Sequence, residues 1–290
     1  MKKLKLFLLG LLFLPILSGC DLFKMDNMED ISIVTTNYSL EFILKTLYGN
    51  HSLIKSIYPD GTDVSTYELS EKALDNYSKE DLFVYVSFGN DKDTAVKLLD
   101  RNKKLLIIDG SMGMSPDYLE ELWLNPSNLL MVAQNIKNGL TEYITSNYLI
   151  KEIEDNYEEL KLKLSELDAE IKLTAENANS KTIVTATKSL NYLRKYGFNV
   201  ISLDTDNEAL DKTVKEVTDM ISVNSIKYIY TLENVEDNET VKLLLENNST
   251  LSEIKLKKLD SISDEERNNG DDYFKLMQYN LEQIKKETYK

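Results

Sequence analysis

Ile150, Ile153, Tyr157, Leu160, Leu164, Leu167 and Ile171 follow one another at intervals of 3, 4, 3, 4, 3 and 4 residues. That spacing lays one unbroken apolar stripe along a single helix face. If the segment from Asn147 to Ala178 is continuous, its 32 residues at about 1.5 Å each form a rod of about 48 Å, longer than one lobe needs. The stripe therefore predicts a helix that bridges two lobes. A coiled coil with another chain is the rival reading, and three heptads lie near its lower limit.

On both sides of that segment, short apolar runs alternate with amphipathic stretches. Before it come ISIVTT from Ile31, SLIKSIY from Ser52, DLFVYVSF from Asp81 and LLIIDG from Leu105, with helical patterns near Leu40 to Tyr48, Ser70 to Tyr77 and Thr94 to Arg101. After it come TIVTAT from Thr182, NVISLD from Asn199, IKYIYTL from Ile226 and LSEIKLKKL from Leu251. Helical patterns there cover Leu190 to Tyr196, Leu210 to Ile221, Glu239 to Leu245 and Asp271 to Tyr289. Such alternation indicates βαβ units and mostly parallel sheets. The expected fold class is α/β, with two mostly parallel-sheet lobes joined by one long helix and a ligand cleft between them. The boundaries are an N-terminal lobe over 31–142, the linking helix over 143–178 and a C-terminal lobe over 179–290. Asn125-Pro126 reads as a helix start, Asn as the cap and Pro in the first turn.

Residues 1–19 form an address. Lys2, Lys3 and Lys5 make a positive start, and Leu6 to Gly19 supply 14 mostly apolar residues, too few to span a bilayer of about 30 Å. The segment ends in Leu17-Ser18-Gly19-Cys20, which resembles the bacterial lipobox, where the Cys is acylated and becomes the new first residue. Cys20 is thus the expected lipidation site, 20–30 a tether, and the mature protein an extracytoplasmic lipoprotein anchored to the bacterial cell membrane. Two acyl chains make such an anchor stable where one is marginal.

The 290 residues carry 34 Lys and Arg against 49 Asp and Glu, a net charge of −15, which becomes 31 − 49 = −18 once residues 1–19 are removed. A surface that acidic repels nucleic acid, so DNA and RNA are excluded as partners. The one Cys and one His rule out an intrachain disulfide, a multi-thiolate zinc site and a multi-histidine metal site. No glycine-rich nucleotide motif is present; Gly110-Ser-Met-Gly113 has the wrong spacing. His51 lies in a turn-like Gly-Asn-His-Ser string with no nucleophile–base pattern, so no enzyme is expected. The 17 Tyr fall largely on core phases of strands and helices, where they read as packing.

Several strings resemble the zinc/manganese solute-binding lipoproteins of bacterial ABC transporters, including the streptococcal adhesin-type lipoproteins. Ile33-Val34-Thr35-Thr36-Asn37-Tyr38 is similar to that family's opening strand and turn, and Gly61-Thr62-Asp63-Val64-Ser65-Thr66-Tyr67-Glu68 to its Gly-x-Asp-Pro-His-x-Tyr-Glu loop. Leu122-Trp123-Leu124-Asn125-Pro126 resembles its His-x-Trp-Leu-Asp-Pro segment, while Leu259-Asp260-Ser261-Ile262 and Met277-Gln278-Tyr279-Asn280-Leu281 resemble its C-terminal signature. The resemblance implies a metal-type importer's substrate-binding lipoprotein, expected as a monomer that docks on an ABC transporter permease. It also implies four ligand positions. Ser65, Glu121 and Ala186 stand at the first three and Asp260 at the fourth, so the family's histidines are gone. What remains is an oxygen site built from Glu121 and Asp260, with one divalent cation, Mn, Zn, Mg or Ca, as its expected ligand. The alternative is a divergent paralogue acting as a surface adhesin or interaction lipoprotein, or binding a non-metal ligand.

Overall fold

The computed structural model describes residues 28–205, 207–235 and 238–290, with backbone alone at 207–209. The signal segment, Cys20 and most of the tether fall outside the described residues. The first sheet contains β1 (Ile31–Thr35), β2 (Ser52–Ser56), β3 (Leu82–Tyr85) and β4 (Leu106–Asp109), in the order β2-β1-β3-β4 and parallel throughout. The second contains β5 (Thr182–Thr185), β6 (Asn199–Ser202), β7 (Tyr228–Leu232) and β8 (Ser252–Leu256), in the equivalent order β6-β5-β7-β8, again parallel. Neighbouring residues Ile33 and Val34 in β1, and Ile183 and Val184 in β5, are fully buried, as a parallel sheet covered on both faces requires.

In the first lobe, α1 (Tyr38–Tyr48), α2 (Glu71–Tyr77) and α3 (Asp91–Arg101) connect the strands. One-turn α4 (Glu121–Leu124) then leads into α5 (Pro126–Tyr143). Asn125 caps α5 as the sequence implies, its side chain accepting from the Ser127 amide at 3.2 Å. The striped helix α6 runs from Asn147 to Glu176, 30 residues or about 45 Å. All of Ile153, Tyr157, Leu160, Leu164, Leu167 and Ile171 are buried on it, while Ile150 is half-buried. The second lobe adds α7 (Asn207–Ser222), α8 (Glu239–Asn247), α9 (Asp264–Asn268) and α10 (Tyr273–Thr288).

One sequence expectation changes form. Lys188–Tyr196 is a 3₁₀ helix, between a Thr187 cap and Gly197 at φ 103°. Its buried apolar residues Leu190, Leu193 and Tyr196 recur every three residues, matching the 3.0-residue turn of that helix rather than 3.6.

Each sheet sits between two cores. Its inner face joins one core that runs through α6 and α10 and takes in both lobes, with Leu160, Leu164, Tyr230, Tyr273 and Leu281 among its members. The outer faces have separate cores, around Phe83 and Leu98 in the first lobe and around Val217 and Ile229 in the second. The lobes are also stitched together on one side. Tyr38 N–H donates to the Asp260 carbonyl at 2.9 Å, Gly61 N–H to the Ile262 carbonyl at 2.8 Å, and the Tyr273 hydroxyl to the Trp123 carbonyl at 2.7 Å. Arg267 of α9 reaches across to Glu41, at 3.0 Å, and to Asp60.

Candidate functional site

A cavity of about 140 Å³ opens where the two lobes meet. Its walls come from the loops that follow strand carboxyl ends: Asn37 after β1, Tyr58 after β2, Asn90 and Asp91 after β3, Glu120 and Trp123 after β4, Lys258 and Asp260 after β8. Open α/β sheets place ligands at that edge, and the reversal of strand order beside β1 makes a crevice there. Asn37 is fixed by local structure, its side chain capping α1 through the Leu40 amide at 2.9 Å.

The charges in this cavity are concentrated around a single ammonium group. Lys258 is 6% exposed, its Nζ 2.8 Å from Asp260 Oδ2, 4.0 Å from Asp63 Oδ1 and 4.0 Å from Glu120 Oε1. Asp63 and Glu120 belong to the first lobe, Lys258 and Asp260 to the second. Burial works against the ammonium, but Asp260, Glu120 and Asp63 together outweigh it and hold its pKa above the ordinary lysine range. Burial lifts the Asp260 carboxyl above the usual carboxylate range, with Lys258 opposing. Asp63 behaves differently: burial is again unfavourable, yet hydrogen bonds from Ser65 and the nearby ammonium hold it below its ordinary value. The Ser65 amide and hydroxyl both donate to Asp63 Oδ1, at 3.0 and 2.7 Å. The Ser189 hydroxyl of the second lobe donates to Glu120 at 2.9 Å across the cleft.

The backbone bends to make this arrangement. Leu259, between Lys258 and Asp260, adopts φ 69° although it is not glycine, and it is 1% exposed. A left-handed leucine costs about 1–3 kcal/mol and persists only where its surroundings enforce it. Here the Ser39 hydroxyl holds the Leu259 carbonyl at 2.7 Å.

Asp91 lines the same cavity from the start of α3. Burial pushes its carboxyl up to about 7, against hydrogen bonds from the Thr36 hydroxyl and the Val86 backbone. Trp123 is 3% exposed, and its indole N–H has no hydrogen-bond partner among the described residues.

Of the four positions implied by the family resemblance, Ser65 and Asp260 line the cavity. Glu121 does not: it is buried in α4, its carboxyl raised by burial and then by Asp117. Its neighbour Glu120 lines the cavity instead, because one residue turns the side chain by about 100° on a helical path and places Glu120 on the Trp123 side. Ala186 packs against the second lobe's outer core. Glu120, Asp63 and Lys258 were not singled out as site residues by the sequence. A signal for Lys258 was present, since the inward phase of β8, Ile254 and Leu256, continues by twos to residue 258. His51, read as a turn residue, pairs with Glu152 at 3.0 Å, away from the cavity.

No group of three or more His, Cys, Asp and Glu side chains is placed to hold a metal ion among the described residues. Two of the carboxylates that line the cavity, Glu120 and Asp260, are arranged around Lys258 together with Asp63 beside it. Nitrogen and sulfur donors favoured by zinc are missing from its lining, and a cation there would meet an ammonium first.

Two α/β lobes of equivalent topology, a long connecting helix and a crevice at the strand ends make the two-lobed cleft architecture of solute-binding proteins. The family profile described as ZnuA, zinc-uptake complex component A, periplasmic, matches residues 33–287, and the chain belongs to that family. It is 27% identical to the zinc-binding lipoprotein AdcA of Streptococcus pneumoniae over 99% of its own length, but spans only 61% of that protein. It is 28% identical to the metal ABC transporter substrate-binding lipoprotein SsaB of Streptococcus sanguinis, covering 95% of this chain and 97% of SsaB. The solved Zn(II)-bound ZnuA-like domain of S. pneumoniae AdcA superposes with a TM-score of 0.72 at 24% identity, over 90% of this chain and all of that domain. These relatives are named as binding proteins.

Proposed function

We propose that this chain is an extracytoplasmic, lipid-anchored substrate-binding protein of a metal-type ABC importer, in a divergent form that has exchanged the family's histidine ligands for oxygen groups and a lysine. Cys20 carries the anchor, 20–30 serves as tether, and the lobes over 31–142 and 179–290 present the cleft to a permease. The observation that carries the reading is the crevice itself. Loops from the carboxyl ends of both sheets converge on one small cavity, with Ser65 and Glu120 on one side and Asp260 on the other, and Asp63 close by. No covalent chemistry is required. The cleft captures, the tether keeps the protein near the membrane, and the permease takes over.

The long helix α6 and the stitched side of the interface resist hinge opening, so capture proceeds with limited lobe movement. The same lysine favours a second reading, in which the cleft no longer loads a cation and the protein acts as a surface interaction lipoprotein.

Cross-linking the full-length lipoprotein in membranes of the bacterium that encodes it, followed by mass spectrometry, separates the two readings. Recovery of a permease subunit of a metal-type importer is the expected result. Efficient cross-linking to other surface proteins with no permease would overturn the importer reading and leave the interaction role.

A further inference from the structure

We propose that Lys258 is the cleft's built-in cation: its ammonium occupies the centre of the Asp63, Glu120 and Asp260 carboxylates and competes with any divalent ion for that place. The proposal rests on the reading of this cavity as the binding cleft.

Four independent features support it. The ammonium is withdrawn from solvent, at 6% exposure, and lies within 4.0 Å of carboxylates from both lobes, which is the place a bridging ion would take. Asp260 is 5% exposed, and an uncompensated buried carboxylate is unfavourable, so some positive charge must accompany it. The chain supplies that charge itself. A left-handed leucine between Lys258 and Asp260 shows that the turn is held in an unfavourable conformation while it delivers both side chains to one cavity. The carboxylates are individually held for the purpose, Asp63 by Ser65 and Glu120 by Ser189. Finally, the adjacent Lys257 is engaged elsewhere, with Glu233 at 2.6 Å and Glu266 at 2.7 Å, so the two lysines of the pair have separate duties.

The carboxylates alone carry three negative charges and Lys258 returns one positive charge. A divalent ion entering beside that ammonium meets like charge at close range in a poorly solvated site, and its affinity falls accordingly. Removing the ammonium leaves Glu120 and Asp260, one from each lobe, facing one space of about 140 Å³, with Asp63 and the hydroxyls of Ser65 and Ser189 nearby. Oxygen donors of that type suit Mn²⁺ and other hard divalent ions.

The test is calorimetric titration of the chain from Asp21 to Lys290, which holds every described residue, with MnCl₂ and ZnCl₂. Wild type, Lys258→Met, Lys258→Gln and Lys258→Arg are compared, with folding checked by circular dichroism. The neutral variants are expected to bind one ion about 100-fold more tightly than wild type, as the loss of a like charge at this range implies. Lys258→Arg stays with wild type, and adding Glu120→Gln to Lys258→Met abolishes the gain. Melting supplies a second readout that works even if the neutral variants are partly unfolded: millimolar Mn²⁺ or Zn²⁺ raises their midpoint and leaves that of wild type unchanged. Equal affinities in wild type and both neutral variants, with no selective rescue in melting, would overturn the proposal. Permease capture with equal affinities removes this inference alone, whereas a gain in affinity without permease capture removes the importer reading alone.

Discussion

The two lobes share a strand order, a parallel sense and a two-core arrangement, yet they bring opposite goods to the cleft between them. The first contributes acidic groups, Asp91 and Glu120 in the cavity wall and Asp63 beside Lys258, each on a different segment. The second contributes one tight turn that carries a cation and an anion two residues apart, Lys258 and Asp260. Equivalent apolar patterns are enough to build equivalent lobes, because burial depends only on which positions are apolar. What the pair can hold depends on a few loop residues that those patterns do not constrain.

The largest effect should come from the core both lobes share. Leu160→Ala in α6, at a side chain 1% exposed, is expected to cost about 2–5 kcal/mol and to lower the denaturant midpoint of both lobes together. Two separate transitions, with one lobe unaffected, would show that the lobes fold independently of that core. Next is Arg267→Ala, which strips the interlobe partner from Glu41, itself 4% exposed. A loss of about 2–3 kcal/mol is expected in urea unfolding, below the value for a fully buried pair because Arg267 is 35% exposed and Lys45 still accompanies Glu41.

A comparison within the first lobe concerns pH. The Asp91 carboxyl is raised in the fold from 3.8 to about 7, so the contribution of its protonated form is complete below about pH 4 and is lost as pH rises toward 7. Asp91→Asn should remove that loss. The variant's stability relative to wild type therefore increases between pH 4 and pH 7, by about 3 kcal/mol in paired thermal melts. A constant difference across that range would mean that Asp91 is ionised throughout. The smallest effect is expected at Ser189→Ala, which deletes the second lobe's hydrogen bond to Glu120 and should cost about 1 kcal/mol. A neutral result would place Glu120 under the control of its own lobe.

Much of this architecture was legible in the residues. The stripe from Ile150 to Ile171 specified α6, and the alternating runs specified eight strands in two sheets, because both depend on apolar periodicity. The site was harder to read. Glu121 and Glu120 are chemically equivalent in sequence, and only the rotation at the start of α4 decides which one faces the cavity. Lys258 lies in a Lys-Lys pair that resembles a solvated edge until the inward phase of β8 is followed past the strand's end. Asp63, from a loop about 195 positions earlier, meets it only through the assembled fold.

The closeness of Lys258 and Asp260 along the chain has one further consequence. Any separation of the lobes carries these two away as a nearly neutral couple and leaves Asp63 and Glu120 behind, bare and mutually repelling. Dissolved ions must then compensate the exposed face, and they do so more effectively as their concentration rises. Gaping of the cleft thus becomes a matter of ionic strength, with dissolved salt acting on it before any ligand arrives.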